Sequence, residues 1–267
     1  MFWQRIISAL IGIPVLILLA YFGGIPLVIF VVLIAVVGLY ELQRIYRRMH
    51  FQIPQFLVYG SAFLFPLLAY FTPGGREGGF LFTGMILMLI LHLMLLVFAF
   101  PRFNISDLAA SYLGSCYVSV LLSYLILIRK MIPHGFPLLL LVFLLTWACD
   151  IGAYSIGRRF GRRALCPNLS PRKTIEGSIG GILFCSGTAA VFQLFYPIFT
   201  YPKVLLFGFI VGCVVQIGDL VESAIKRMGK TKDSGVLIPG HGGILDRFDS
   251  LLFSAPVAYF FIKLILL

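Results

Sequence analysis

The sequence predicts an all-α integral membrane protein of about nine transmembrane helices, with its N-terminus in the cytoplasm. Three observations carry that expectation: composition, the spacing of helix breaks, and an uneven distribution of Lys and Arg. Of the 267 residues, 60% are hydrophobic and 12% are charged, and the mean hydropathy is +1.03. A soluble domain carries roughly 25% charged residues. A water-soluble fold of this size has no interior large enough for so much apolar surface, so lipid must be the solvent for most of it.

A spanning helix needs about 20 mostly apolar residues at a rise of roughly 1.5 Å each. Nine segments qualify: Ile6–Phe22, Pro26–Leu42, Phe56–Phe71, Phe80–Phe100, Leu108–Ile128, Phe136–Ile156, Ser178–Phe199, Val204–Lys226 and Phe248–Leu267. They are separated at Gly23-Gly24, Pro54, Pro73-Gly74-Gly75, Pro101, Pro133 and Pro202, residues that punctuate helices. Gly23-Gly24-Ile25 is so short a connection that a re-entrant pair is the alternative for the first two segments. The first segment follows a single basic residue, Arg5, and lacks a small-residue cleavage pattern after it, so a retained span is expected rather than a signal peptide. With nine spans and the N-terminus inside, sixteen of the 21 basic residues fall on cytoplasmic segments and five outside. The two most basic loops, Arg158–Lys173 and Lys226–Arg247, both face the cytoplasm on this reading. A multi-pass protein of the cell (inner) membrane is expected. It forms one membrane domain in two parts, a transmembrane scaffold over residues 1–135 and a transmembrane catalytic region over 136–267.

The net charge of +11 follows from that bias together with contact with anionic headgroups of the membrane lipids. Nucleic acid is not expected as a partner, because the basic residues sit between spans rather than on a soluble face. Cys116, Cys149, Cys166, Cys185 and Cys213 form an odd, scattered set without a CxxC, so neither a disulfide framework nor a metal site is implied.

The acidic residues carry more information. Only ten exist, and three lie in the first 149 residues: Glu41, Glu77 and Asp107. The other seven, Asp150, Glu176, Asp219, Glu222, Asp233, Asp246 and Asp249, fall in or beside the cytoplasmic halves of the last four spans. An ionisable residue inside a span costs roughly 2.5–3.5 kcal/mol on insertion scales, and so usually has a function. Asp150 lies eight residues before Arg158, roughly 12 Å below that rim if helical. It is either the partner of an arginine on a neighbouring span or a ligand for a cation or substrate. Asp219, Glu222, Ser223 and Lys226 are spaced i, i+3, i+4, i+7 and share one helical face. A Glu222–Lys226 pair at the membrane edge explains Glu222 but leaves Asp219, one turn deeper, to be accounted for.

The densest segment follows, from Lys230 to Ser250. Gly240, Gly242 and Gly243 can aim several backbone N–H groups at one phosphate. They are flanked by Lys232, Asp233, Asp246, Arg247 and Asp249, the last helix opening with Asp246 and Asp249 beside its positive dipole end. A third basic segment, Ser170 to Ser178, joins spans six and seven and opens a helix with Thr174 or Ser178 as cap, and Lys173 and Glu176 are its candidate site residues. Arg158, Arg159, Arg162 and Arg163 before it are more simply read as holding lipid phosphates. Together these parts supply hard oxygen ligands suited to Mg²⁺, a glycine loop of polyphosphate size, and a ring of cations. Transfer at phosphorus needs in-line positioning and charge neutralisation more than a covalent nucleophile. The residues therefore point to a cation-dependent phosphoryl or nucleotidyl transferase acting on a lipid.

The stretch Ser223-x-x-Lys226-Arg227-x4-Lys232-Asp233-x-Gly235-x3-Pro239-Gly240-His241-Gly242-Gly243-x-x-Asp246-Arg247-x-Asp249 resembles the signature of the phosphatidate cytidylyltransferase (CDP-diacylglycerol synthase) family. Asp150-x-x-Ala153-Tyr154, Ser170-Pro171-x-Lys173-Thr174-x-Glu176-Gly177 and Gly218-Asp219-Leu220-x-Glu222-Ser223 resemble that family's motifs as well. The resemblance implies CTP and phosphatidic acid as substrates, CDP-diacylglycerol and pyrophosphate as products, a requirement for Mg²⁺ with a second cation open, and a homodimer. Charge and spacing then suggest Asp219 and Asp246 as cation ligands, with Asp249 and Glu222 as second choices. Lys173, Lys226, Arg227 and Arg247 would hold phosphates, and the Gly240–Gly243 backbone would cradle the triphosphate. Glu176, Lys232, Asp233, Asp150 and Ser223 complete the expected substrate contacts, and His241 either donates to the leaving pyrophosphate or braces the loop.

Two rivals differ in class. A transporter would place intramembrane carboxylates along an ion path and show matching helix breaks in its two halves; here the acidic residues cluster on one side and in one half. A CTP-dependent polyprenol kinase would transfer the γ-phosphate of CTP, whereas a cytidylyltransferase transfers the α-phosphoryl group.

Overall fold

The computed structural model describes residues 2–73, 77–235 and 242–266. Each apolar segment expected to span coincides with a helix, although the helices of Phe80–Phe100 and Ser178–Phe199 end at Phe98 and Phe195, and Leu108–Ile128 is broken by a π turn. Seven helices among the described residues are long and apolar enough to cross a membrane, while Leu10–Phe22 and Gln55–Phe71 are shorter apolar helices. The chain divides into two compact units, Met1–Met131 with Ile225–Arg247, and Ile132–Ala224 with Phe248–Leu267.

The first unit holds α1 (Phe2–Phe22), α2 (Gly24–Arg48), α3 (Gln55–Phe71), α4 (Glu77–Phe98), α5 (Ile105–Ser115) and α6 (Leu121–Arg129). A single π-helical turn, Cys116–Val120, joins the last two. Gly23 alone connects α1 to α2, at φ 61°, a conformation that disfavours a side chain. The close packing of Arg129 over it leaves no room for one either, since a Cβ there would lie 2.9 Å from the Arg129 Nε. Arg129 and Lys130, consecutive at the end of α6, complete the carbonyl ends of two other helices. Arg129 donates to Ala20 O at 2.6 Å and Tyr21 O at 2.8 Å, and Lys130 donates to Ala69 O, Tyr70 O and Thr72 O at 3.1, 2.6 and 2.6 Å. The last carbonyls of a helix have no partner within it, so the cations stabilise both ends. Asn104 and Asp107 form a reciprocal capping box at the start of α5, and Asp107 also accepts from Gln52 N at 2.9 Å. That accounts for one of the three N-terminal acidic residues as structural.

The second unit holds α7 (Gly135–Phe160), a two-stranded antiparallel hairpin of β1 (Ala164–Cys166) and β2 (Ser170–Thr174), α8 (Ile175–Phe195), and most of α9 (Tyr201–Met228) and α10 (Leu245–Leu266). Glycine makes its helix packing possible. A Cβ on Gly152 of α7 would lie 2.6 Å from Phe184 Cβ and 2.8 Å from Gly180 O of α8. A Cβ on Gly208 of α9 would lie 2.6 Å from Ser186 Cα of α8, and one on Gly212 would lie 3.1 Å from Ile182 Cα. A Cβ on Gly218 would lie 2.8 Å from Asp249 O of α10. Small residues of this kind let helix backbones approach in lipid, where the hydrophobic effect no longer drives helices together.

Candidate active site

The hairpin and the first turn of α8 place one ion pair in the second unit. Thr174 is the N-cap of α8, accepting from Gly177 N at 3.1 Å, which settles the choice between Thr174 and Ser178. Glu176, in the first turn, accepts from Arg162 N and Arg163 N at 3.0 and 3.3 Å and so ties the chain leaving α7 to α8. Gln216 of α9 donates to Ser178 O at 3.1 Å, fixing α9 against the start of α8. One turn further along α9, Asp219 pairs with the ammonium of Lys173 from β2. The Ser223 hydroxyl faces the same carboxylate at 3.5 Å. Both members of the pair remain about one-third accessible, at 28% and 32%. The carboxylate that helical spacing left to be accounted for therefore has its partner in the hairpin between α7 and α8.

In the first unit a second pair forms where the end of α9 meets the start of α10. Lys226 donates to Asp246 Oδ1 at 2.6 Å, and the pair is nearly buried, at 13% and 10%. Lys226 thus engages a residue twenty positions away, while Glu222 is fully buried on α9. The other oxygen, Oδ2 of Asp246, accepts from Ser234 N at 3.0 Å, Ser234 Oγ at 2.9 Å and Gly243 N at 2.8 Å. Gly242 lies at φ 85°, and a Cβ there would come 2.8 Å from Asp246 Oδ2. Gly243 thus directs its N–H at the carboxylate.

A residue of the presumed scaffold completes the network. Glu41 of α2 is buried, and it accepts from Ile244 N at 3.0 Å, Leu245 N at 2.8 Å and Ser234 Oγ at 3.0 Å. Two of those donors are backbone amides at the opening of α10, so Glu41 acts as a cap delivered from another helix. Gly235 and Gly243 flank it so closely that a Cβ on either would collide with its carboxylate. The signal was present in the sequence: Glu41 is an ionisable residue inside an apolar span, the same criterion that singled out Asp219.

The remaining expected site residues are placed without such detail. Asp150 is exposed on α7, Arg227 and Arg247 are exposed, and Asp249 is buried on α10 with Ser250 N donating to it at 2.6 Å. Lys232 and Asp233 are exposed on the turn after α9. Gly240 and His241 lie outside the described residues, as do 236–239. Among the described residues no three His, Cys, Asp or Glu side chains converge as a metal's ligand set. The donor chemistry of Asp219 and Asp246, hard carboxylate oxygens, nevertheless suits Mg²⁺, each being neutralised here by one lysine.

Comparison with known proteins adds an independent line. The pattern of the cytidylyltransferase family matches residues 3–265. The phosphatidate cytidylyltransferase of Bacillus subtilis (strain 168) is 34% identical over 267 residues, covering 98% of this chain and 97% of the relative. That of Staphylococcus haemolyticus is 35% identical over 254 residues, covering 94% of each. That of Synechocystis sp. is 34% identical over 291 aligned positions, covering 98% and 97%.

Proposed function

From the premise that this chain belongs to the cytidylyltransferase family, we propose that it joins CTP to phosphatidate, giving CDP-diacylglycerol and pyrophosphate. A phosphate oxygen of phosphatidate attacks the α-phosphorus of CTP, a new P–O bond forms, and the bond to the β-phosphate oxygen breaks as pyrophosphate leaves. No covalent intermediate with the protein is needed; the chain's task is to align two anions and offset their charge.

The observation that supports this best is the Asp246 network, in which the signature segment folds back on its own carboxylate and Lys226. Lys226 and Lys173 are each held by a carboxylate in a charge-assisted contact. Lys173, Lys226, Arg227 and Arg247 would hold phosphate oxygens of the substrates, and Asp219 and Asp246 would each offer carboxylate oxygens to Mg²⁺. When bound, Mg²⁺ would offset the charge that develops on the leaving pyrophosphate. Glu222 and Asp249, both buried, serve second as cation ligands. The site faces the cytoplasm, where CTP is found, and the enzyme acts as a homodimer in the cell membrane.

Purified enzyme in detergent with phosphatidate, Mg²⁺ and CTP labelled at the α-phosphate tests the reading. Label passes into the lipid phase with the wild type, is lost on chelation of the cation, and falls by about a hundredfold or more with Asp246→Asn, as when one preorganised electrostatic group is removed. Label from the γ-phosphate in lipid, with none from the α-phosphate, would instead establish a lipid kinase.

A further inference from the structure

We propose that the ends of α2 and α9 form a subsite for a terminal, doubly charged phosphate, received by Arg44 and Arg48 of α2 and by Lys230 and Lys232 after α9. The subsite rests on the reaction proposed above, since phosphatidate and CTP each carry such a group. It adds Arg44, Arg48 and Lys230 to the residues that motif spacing singled out.

The four cations line a cavity of about 360 Å³, together with Thr231 and Asp233. That volume lies at the lower end of the range usual for small-ligand pockets, roughly 300–1,000 Å³. Among the described residues none of the four is in an ion pair, in contrast to Lys173 and Lys226. Arg44 instead stands 6.0 Å over the Tyr40 ring, which steadies its guanidinium without neutralising it.

A blander reading makes these cations mere complements to two helix C-termini. The magnitudes decide against it. Each helix end contributes roughly half a negative charge. Four cations against the single carboxylate of Asp233 leave three positive charges, so about two remain after both dipoles are offset, the charge of a phosphate monoester.

The backbone points the same way. Thr231 N donates to Lys226 O at 2.9 Å and Lys230 N to Arg227 O at 3.0 Å, closing α9 with a motif whose left-handed residue is usually glycine. Lys230 occupies that position at φ 51°. A long cation is thus held where glycine would be easier, and it lines the cavity. The walls are fixed as well. Gly229 approaches Ile45 so closely that a Cβ would collide with it, locking the two helix ends together. Ser234, which also lines the cavity, donates to Asp246. A phosphate bound here would therefore sit one residue from the network around Asp246.

Two variants test the subsite, Arg44→Gln/Arg48→Gln and Lys230→Gly, the second relaxing the backbone while removing the charge. The first measurement is the thermal shift of the detergent-purified protein on adding inorganic pyrophosphate, which does not depend on turnover. The wild type should be stabilised, and both variants should lose most of that shift, with Lys230→Gly melting no lower than wild type without ligand. Retention of the full shift in both variants overturns the subsite, whether or not the proposed reaction is observed. The second measurement varies each substrate separately. A rise of about ten- to hundredfold in the KM for phosphatidate, the loss expected for charge-assisted contacts, assigns the subsite to the lipid headgroup. The same rise for CTP assigns it to the nucleotide. No rise for either, in an active enzyme, overturns it as a substrate subsite.

Discussion

Ser234 shows how finely the centre depends on single atoms. Its hydroxyl lies 3.0 Å from Glu41 Oε2 and 2.9 Å from Asp246 Oδ2, yet it has one proton to donate. Its own N–H binds Asp246 as well, so Glu41, Ser234 and Asp246 are set as one unit. Glu41→Gln preserves volume but turns one acceptor into a donor that faces an amide or the hydroxyl. An unsatisfied buried donor costs about 1–3 kcal/mol, and relaxation of Ser234 would carry that disturbance to Asp246. The expected result is a fall of about ten- to hundredfold in kcat, at roughly 1.4 kcal/mol per decade, with KM values little changed and normal insertion in the membrane. Wild-type kcat in Glu41→Gln would remove Glu41 from any positioning role. Spacing along the sequence offers Glu222 as one partner of Lys226, because a helical repeat exposes only i, i+3 and i, i+4 pairs. Asp246, which Lys226 also meets, is brought in by a turn whose path no periodicity encodes.

At the scale of elements, the long helices were legible because apolar runs and Gly/Pro breaks leave few alternatives in lipid. The β1–β2 hairpin was not. Ser170-Pro171-Arg172-Lys173-Thr174 has no apolar alternation, and its strand character comes from pairing Ala164 with Thr174 and Cys166 with Ser170. What the sequence could not rank was which of its glycines matter. Gly152 and Gly187 look alike as helical glycines, but a Cβ at 152 meets Phe184 and the Gly180 carbonyl, while one at 187 meets nothing within 4 Å. Gly152→Ala should therefore force α7 and α8 apart and destabilise the protein by about 1–3 kcal/mol, as overpacking does. Gly187→Ala should leave the melting temperature in detergent unchanged or slightly raised, since alanine is the better helix former. Equal melting of the two variants would show that close packing of α7 on α8 does not limit stability.

For the molecule as a whole, the unequal distribution of Lys and Arg predicts an orientation, and one native side chain can report it. Of the five cysteines, Cys116, Cys149, Cys185 and Cys213 lie within long apolar helices, and only Cys166 lies outside them, half-buried on β1. The hairpin that carries Cys166 also carries Lys173, the partner of Asp219. The location of this one thiol is thus the location of that ion pair's loop. On the nine-span reading, sixteen basic residues on one set of segments against five on the other predict that it lies in the cytoplasm. A membrane-impermeant maleimide should then label the wild type in inside-out vesicles, fail to label it in right-side-out vesicles until detergent is added, and fail in both with Cys166→Ser. Labelling of Cys166 in intact right-side-out vesicles would put Lys173 on the face away from CTP. The orientation and the proposed cytoplasmic site would then fall together, because both depend on the same loop.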